Sequence, residues 1–103
     1  FLLVIQTNLE QKNLEKQMTI AQNIALSVQD EISLASESSD GYYREFIIPK
    51  DILGKNYGIN LANGYVYINA TKLGVSYKTL EVIGNVKKGE NVIKKEDGKV
   101  YLN

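Results

Sequence analysis

The sequence predicts an α+β fold, a long N-terminal α-helix packed on a small antiparallel β-sheet. Three observations predict it. No Pro or Gly occurs before Gly41, and the apolar residues ahead of it recur at helical spacing. Beyond it, Asn63-Gly64 and Asp97-Gly98 each stand between short runs rich in aromatic and β-branched residues, the pattern of two-residue hairpins. Helix first and strands after is the order of an α+β domain.

The helix is expected from Phe1 to about Ser38. Leu14, Met18, Ala21, Ala25, Val28, Ile32 and Ala35 follow one another by alternating steps of four and three, a narrow apolar seam on one face. Ile20 and Ile24 widen the seam beside Val28, so Ile20, Ile24, Val28 and Ile32 are expected to hold the helix on the sheet. Such a helix is roughly 55 Å long, whereas a compact domain of this size has a radius of gyration of about 13 Å. It must overhang its own domain. At the overhanging end Phe1, Leu2, Leu3, Val4 and Ile5 form an unbroken apolar run with no core of their own, the kind of surface that marks a partner or a membrane. From Gln6 to Gln17 the chain is mostly polar, with Leu9 and Leu14 alone keeping the stripe. The expected division is residues 1–17 as a protruding helix and 18–103 as a globular head. A membrane span needs about 20 continuous apolar residues, far more than this run supplies. A chain that starts on Phe in mid-helix reads as lacking an upstream part.

Ser36, Ser38, Ser39, Asp40 and Gly41 form a polar cluster that should end the helix, with Gly41 suited to a left-handed turn. Tyr42 to Ile48, closed by Pro49, reads as a first strand near an edge, and Pro49 to Asn56 as a loop. A strand from Tyr57 to Ala62 then turns at Asn63-Gly64. Counting outward from that turn sets Ala62 opposite Tyr65, Leu61 opposite Val66, Asn60 opposite Tyr67, Ile59 opposite Ile68 and Gly58 opposite Asn69. Ile59, Leu61, Val66 and Ile68 thereby share the face that should meet the helix, and Asn60, Tyr65, Tyr67 and Asn69 share the other. Val75 to Ile83 reads as a further strand. Around Asp97-Gly98, Ile93 faces Leu102 and Lys95 faces Val100, with Ile93, Val100 and Leu102 inward. The expected sum is a single antiparallel sheet of about five strands.

Cys and His are both absent, which removes disulfides, Cys or His zinc sites and imidazole acid/base chemistry. No enzyme activity, catalytic residue or cofactor is expected. The net charge is zero but unevenly spread: residues 1–41 carry six acidic and two basic side chains, residues 42–103 six acidic and ten basic. Helix and head are opposite in sign, as complementary packing of neighbouring subunits or simple solvated faces would make them. Glu90, Glu96 and Asp97 lack calcium-loop spacing and read as a charged hairpin tip, so no metal is expected. Lys87, Lys88, Lys94, Lys95 and Lys99 lie among acidic neighbours, which argues for a solvated face and against nucleic acid. Asp30 and Glu31 are adjacent and diverge around a helix. The seven Tyr suit half-buried strand positions by default, or a carbohydrate or partner surface. Asn69-Ala70-Thr71 is an N-glycosylation acceptor pattern, and the hairpin register turns Asn69 outward near a strand end.

The runs SVQDEISLASESSDGYYREFIIP, NYGINLANGYVYINAT and GNVKKGENVIKKEDGKVYLN, with SSDGYYREF the most distinctive part, resemble the small archaeal type IV pilin-like surface proteins of the class III signal peptide group. The likeness covers the chain from mid-helix to the C-terminus. It implies a pilin-like fold and a structural subunit of an extracellular filament on the cell surface, with copies of itself as partners and a membrane partner before assembly. Phe1, Leu2, Ile5, Leu9 and Leu14 would make the helix-to-helix contacts, and a sheet head, often glycosylated in that group, would face solvent and serve adhesion. Ile5 stands where processed pilins typically carry Glu, which fits an upstream part of the helix being absent. Two other classes remain open: a membrane-tethered extracytoplasmic module using its Tyr-rich face for a ligand, and a soluble coiled-coil oligomer joined through the Leu14 to Ala35 seam.

Overall fold

Without Pro or Gly to interrupt it, the chain forms one helix, α1 (Leu2–Glu37). The computed structural model describes the backbone of residues 2–103 and the side chains from Lys12 onward. The helix has 36 residues, about 54 Å at 1.5 Å per residue, and it sets the long dimension of a molecule measuring 62 × 22 × 17 Å. The radius of gyration, 16.2 Å, exceeds the about 13 Å of a compact chain of this length.

The seam lies on the head as its spacing requires. Ala21, Ala25, Val28, Ile32 and Ala35 are wholly buried and Ile24 nearly so; Leu14, Met18 and Ile20 are partly buried against the same core. Three of these are alanines, which bring the helix backbone close to the strands. Each buried Ile or Val contributes about 1.5–3 kcal/mol by leaving water. Gln17, expected in the wet stretch, is buried as well, because it falls on the seam side between Leu14 and Ala21.

Seven strands follow: β1 (Tyr43–Ile48), β2 (Gly58–Ala62), β3 (Tyr65–Ala70), β4 (Leu73–Lys78), β5 (Ile83–Gly84), β6 (Gly89–Glu96) and β7 (Lys99–Leu102). They form two sheets under the helix, where one was expected. The larger has the order β1-β6-β7-β5 and the smaller β2-β3-β4. All pairings are antiparallel except β5 with β7, which is parallel. The architecture is thus α+β with mixed sheets. The helix packs on β3 and β4 of one sheet and on β6 and β7 of the other.

Both hairpins keep the register that their turns dictate. Every rung from Ala62–Tyr65 to Gly58–Asn69 is observed, as are Lys95–Val100 and Ile93–Leu102. Asn63 and Gly64 have φ of 54° and 79°, Asp97 and Gly98 of 51° and 75°, positive at both central positions as a type I′ turn requires. Val66, Ile68, Ile93, Val100 and Leu102 are buried.

The strand expected from Val75 to Ile83 is different. It starts earlier, at Leu73, after a two-residue turn at Thr71-Lys72, and ends at Lys78. It ends because its partner does: β3 begins at Tyr65, and the last rung is the Thr79 N–H bonded to the Gly64 carbonyl at 2.9 Å. The chain then crosses to the larger sheet, where Ile83 and Gly84 pair with Tyr101 and Leu102. Gly84 has φ +107°, and a Cβ there would lie 2.0 Å from the Leu102 carbonyl oxygen. Only glycine fits this crossing.

Candidate functional site

The end of the helix is held by the last hairpin of the chain. The Ser38 hydroxyl donates to the Leu34 carbonyl at 2.7 Å, and the Lys95 ammonium donates to the Ser36 carbonyl, placing a cation at the negative end of the helix dipole. Asp40 Oδ1 accepts the Gly98 N–H at 3.0 Å, and the Gly41 N–H reaches the Lys95 carbonyl at 2.8 Å. Gly41, expected in a left-handed turn beyond the helix end, lies there and uses its φ of +96° to lead into β1. Farther back, the Gln29 amide donates to the Lys78 carbonyl of β4 at 2.6 Å. The helix is thereby fixed in direction relative to both sheets.

Two surfaces result. The first is a groove of about 300 Å³ between α1 and the edge strand β1, lined by Ser27, Asp30, Glu31, Leu34, Arg44, Phe46 and Ile47. Its floor is apolar and exposed: Leu34 is 46% and Ile47 74% accessible. Its rim is charged, with Arg44 Nε donating to the Glu31 carboxylate at 3.0 Å. Leu34 and the exposed Leu26 fall outside the Leu14 to Ala35 seam. That departure was the available sequence signal for a second apolar face on the helix, and the seam reading passed over it.

The second surface is the outer face of β2-β3-β4. Tyr65, Tyr67 and Asn69 alternate along the central strand, with the two Tyr rings 6.0 Å apart and tilted by 39°. Asn69 is exposed, as the register required, and its neighbours across both ladders are Gly58 and Gly74. Thr71 is exposed in the turn that follows.

No comparison yields a relative. Set against protein-family models, curated proteins and solved structures, the chain matches none.

Of the residues expected in helix-to-helix contacts, Phe1 lies outside the described residues, and so do the side chains of Leu2, Ile5 and Leu9. Leu14 is partly buried against the core of its own head, which leaves less of it for another molecule. Ile20, Ile24, Val28 and Ile32 all meet that core. Glu90 and Glu96 stand six positions apart on β6, about 20 Å, and Glu96 lies directly opposite Lys99. Among the described residues no three acidic side chains gather into a cation cage.

The two sheets are joined by side chains that sequence reading did not single out. Asn85 Oδ1 accepts the Leu61 and Val86 N–H groups at 2.7 and 2.8 Å, closing the open edge of β2 as a strand would. Asn91, almost wholly buried, accepts the Lys87 N–H at 3.0 Å and donates to the Lys87 and Gly89 carbonyls. Asn103 donates to Asn85 and Asn91 and accepts the Val92 N–H. The Tyr57 hydroxyl donates to the Pro49 carbonyl, and Lys88 lies 5.2 Å from the centre of the Tyr57 ring. Burial, and then the Asp51 charge, raise the Tyr57 pKa above its ordinary 10.0.

Proposed function

We propose that the protein is a structural subunit of an extracellular, type IV pilus-like filament, assembling through its N-terminal helix while the sheet head faces solvent. One observation carries this reading. Among the described residues, the helix positions that meet the head's core run from Leu14 to Ala35, about 32 Å of a helix about 54 Å long. A rod that outruns its own globule needs burial from neighbours, and copies of the same rod supply it with one repeated contact. The opposite charge of helix and head and the apolar groove beside Leu34 and Ile47 suit side-by-side packing of such copies. Phe1, Leu2, Ile5 and Leu9 make the contacts between rods, and before assembly the subunit is held at the membrane. Among the described residues no helix is long and apolar enough to cross a membrane. Adhesion, where it occurs, belongs to the outward faces of the head.

Electron microscopy of material sheared from the surface of the producing cells tests this. Filaments are expected. Ile5→Asp combined with Leu9→Asp should abolish them while the head keeps its circular dichroism and melting temperature. A detergent-dependent monomer, a small discrete oligomer, or simultaneous loss of filaments and head folding would each overturn the reading.

A further inference from the structure

The outer face of β2-β3-β4 carries two glycines that the fold does not need. Across the strands its rows read Ala62, Tyr65, Lys78; then Asn60, Tyr67, Ser76; then Gly58, Asn69, Gly74. A glycine inside a strand weakens it and often marks a place where something approaches closely. Neither Gly58 nor Gly74 has the positive φ that calls for glycine. Neither is crowded: the nearest atom to a Cβ at Gly58 would be the Asn69 carbonyl oxygen at 4.0 Å, and at Gly74 the Asn69 Oδ1 at 3.8 Å. What the two missing side chains do is clear the sheet on both sides of Asn69.

We propose that Asn69 carries an N-linked glycan whose first sugar ring lies on this glycine floor, against the face of Tyr67. Asn69-Ala70-Thr71 supplies the acceptor pattern, with the Asn exposed on β3 and the Thr exposed in the turn beyond it. Tyr67 projects from the same face two positions back, between Asn60 and Ser76. An aromatic ring among amides and a hydroxyl, with no carboxylate in the nine positions, is a surface that takes the apolar face of a sugar ring and hydrogen-bonds its hydroxyls. The transfer is redox-neutral. The Asn69 amide nitrogen forms a bond to the anomeric carbon of a lipid-linked sugar and loses one proton, and the lipid diphosphate departs with the bonding pair. The inference rests on the extracytoplasmic placement of the filament reading, and not on assembly.

Mass spectrometry of protein recovered from the surface of the producing cells tests the site. The tryptic peptide from Asn56 to Lys72 is expected to carry sugar mass on Asn69, lost in Thr71→Ala and kept in Thr71→Ser. The glycosylated protein should melt about 4 °C above Asn69→Gln. Tyr67→Ala, or Gly74→Val placing a side chain on the floor, should remove most of that gap, and Tyr67→Phe should keep it. A bare peptide on protein recovered outside the cell would overturn the site and leave the filament reading standing. A bare peptide on protein confined to the cytosol would overturn both. Sugar on Asn69 with no melting gap would overturn the floor, and sugar on Asn69 of a protein that forms no filaments would overturn assembly alone.

Discussion

The two sheets of the head are made in different ways. In β2-β3-β4 each strand pairs with its neighbour in sequence across a two-residue turn. In β1-β6-β7-β5 the first strand of the head lies against Gly89–Glu96, near the end of the chain. Short loops cost little entropy to close and form early, and long ones cost more and form late. The smaller sheet can therefore take up its register alone, while the larger waits for the last residues. Both depend on the same helix seam to bury their inner faces, and the difference shows a local unit and a distant unit made into one body by a shared third element.

The largest expected effects come from emptying one side of that seam. Ile68 in the local sheet and Ile93 in the distant one are both wholly buried, and replacing either with Ala should cost about 2–5 kcal/mol. In urea, far-UV dichroism and tyrosine fluorescence should lose signal together in both variants. Two separated transitions would break the idea of one cooperative body.

Next is Gly84, the crossing point between the sheets. Gly84→Ala drives a methyl into the Leu102 carbonyl oxygen and should cost about 3 kcal/mol. Hydrogen exchange should rise first along β7 and leave β2-β3-β4 protected.

Smaller is the side-chain joint. Asn85→Ala leaves the Leu61 N–H and C=O without their partner and should cost about 1–2 kcal/mol, with faster exchange at Leu61. A variant as stable as the wild type would mean that the helix alone unites the sheets.

Smallest is Tyr57→Phe, which removes the bond between the start of β2 and the end of β1 and should cost about 1 kcal/mol near neutral pH. Because the folded-state pKa of Tyr57 is raised above 10.0, its contribution is complete below pH 10 and is lost as pH rises through the folded value. The wild type should therefore lose stability above pH 10 more steeply than the variant, as read by melting temperature against pH.

This contrast also sets what could be read from sequence. Asn63-Gly64 and Asp97-Gly98 named their turns, and the turns fixed two registers rung by rung. The helix seam was equally legible, because its burial repeats every turn. Nothing within Tyr43–Ile48 says that it pairs with Gly89–Glu96, so the division into two sheets was hidden, and β4 was drawn too long because its end is set by where β3 begins. Thr71-Lys72 has no turn signature, and only once that turn places Gly74 beside Asn69 does the cleared floor come into view. The exposure of Asn69 itself followed from the first hairpin. The groove beside Leu34 needs a strand brought against a helix, which no single segment encodes.

The lysine and aspartate fastenings at the carboxyl end of α1 also settle where a mechanical load would go. A tug along the rod arrives at Ser36 and Asp40 and passes straight into the chain's final hairpin. There β6 lies against β1, paired with it over six rungs. Tension drawn along the shaft thus enters the head at that corner, and the glycine-floored meander shares it through the Gln29 bond to β4 and the seam on which β3 and β4 pack.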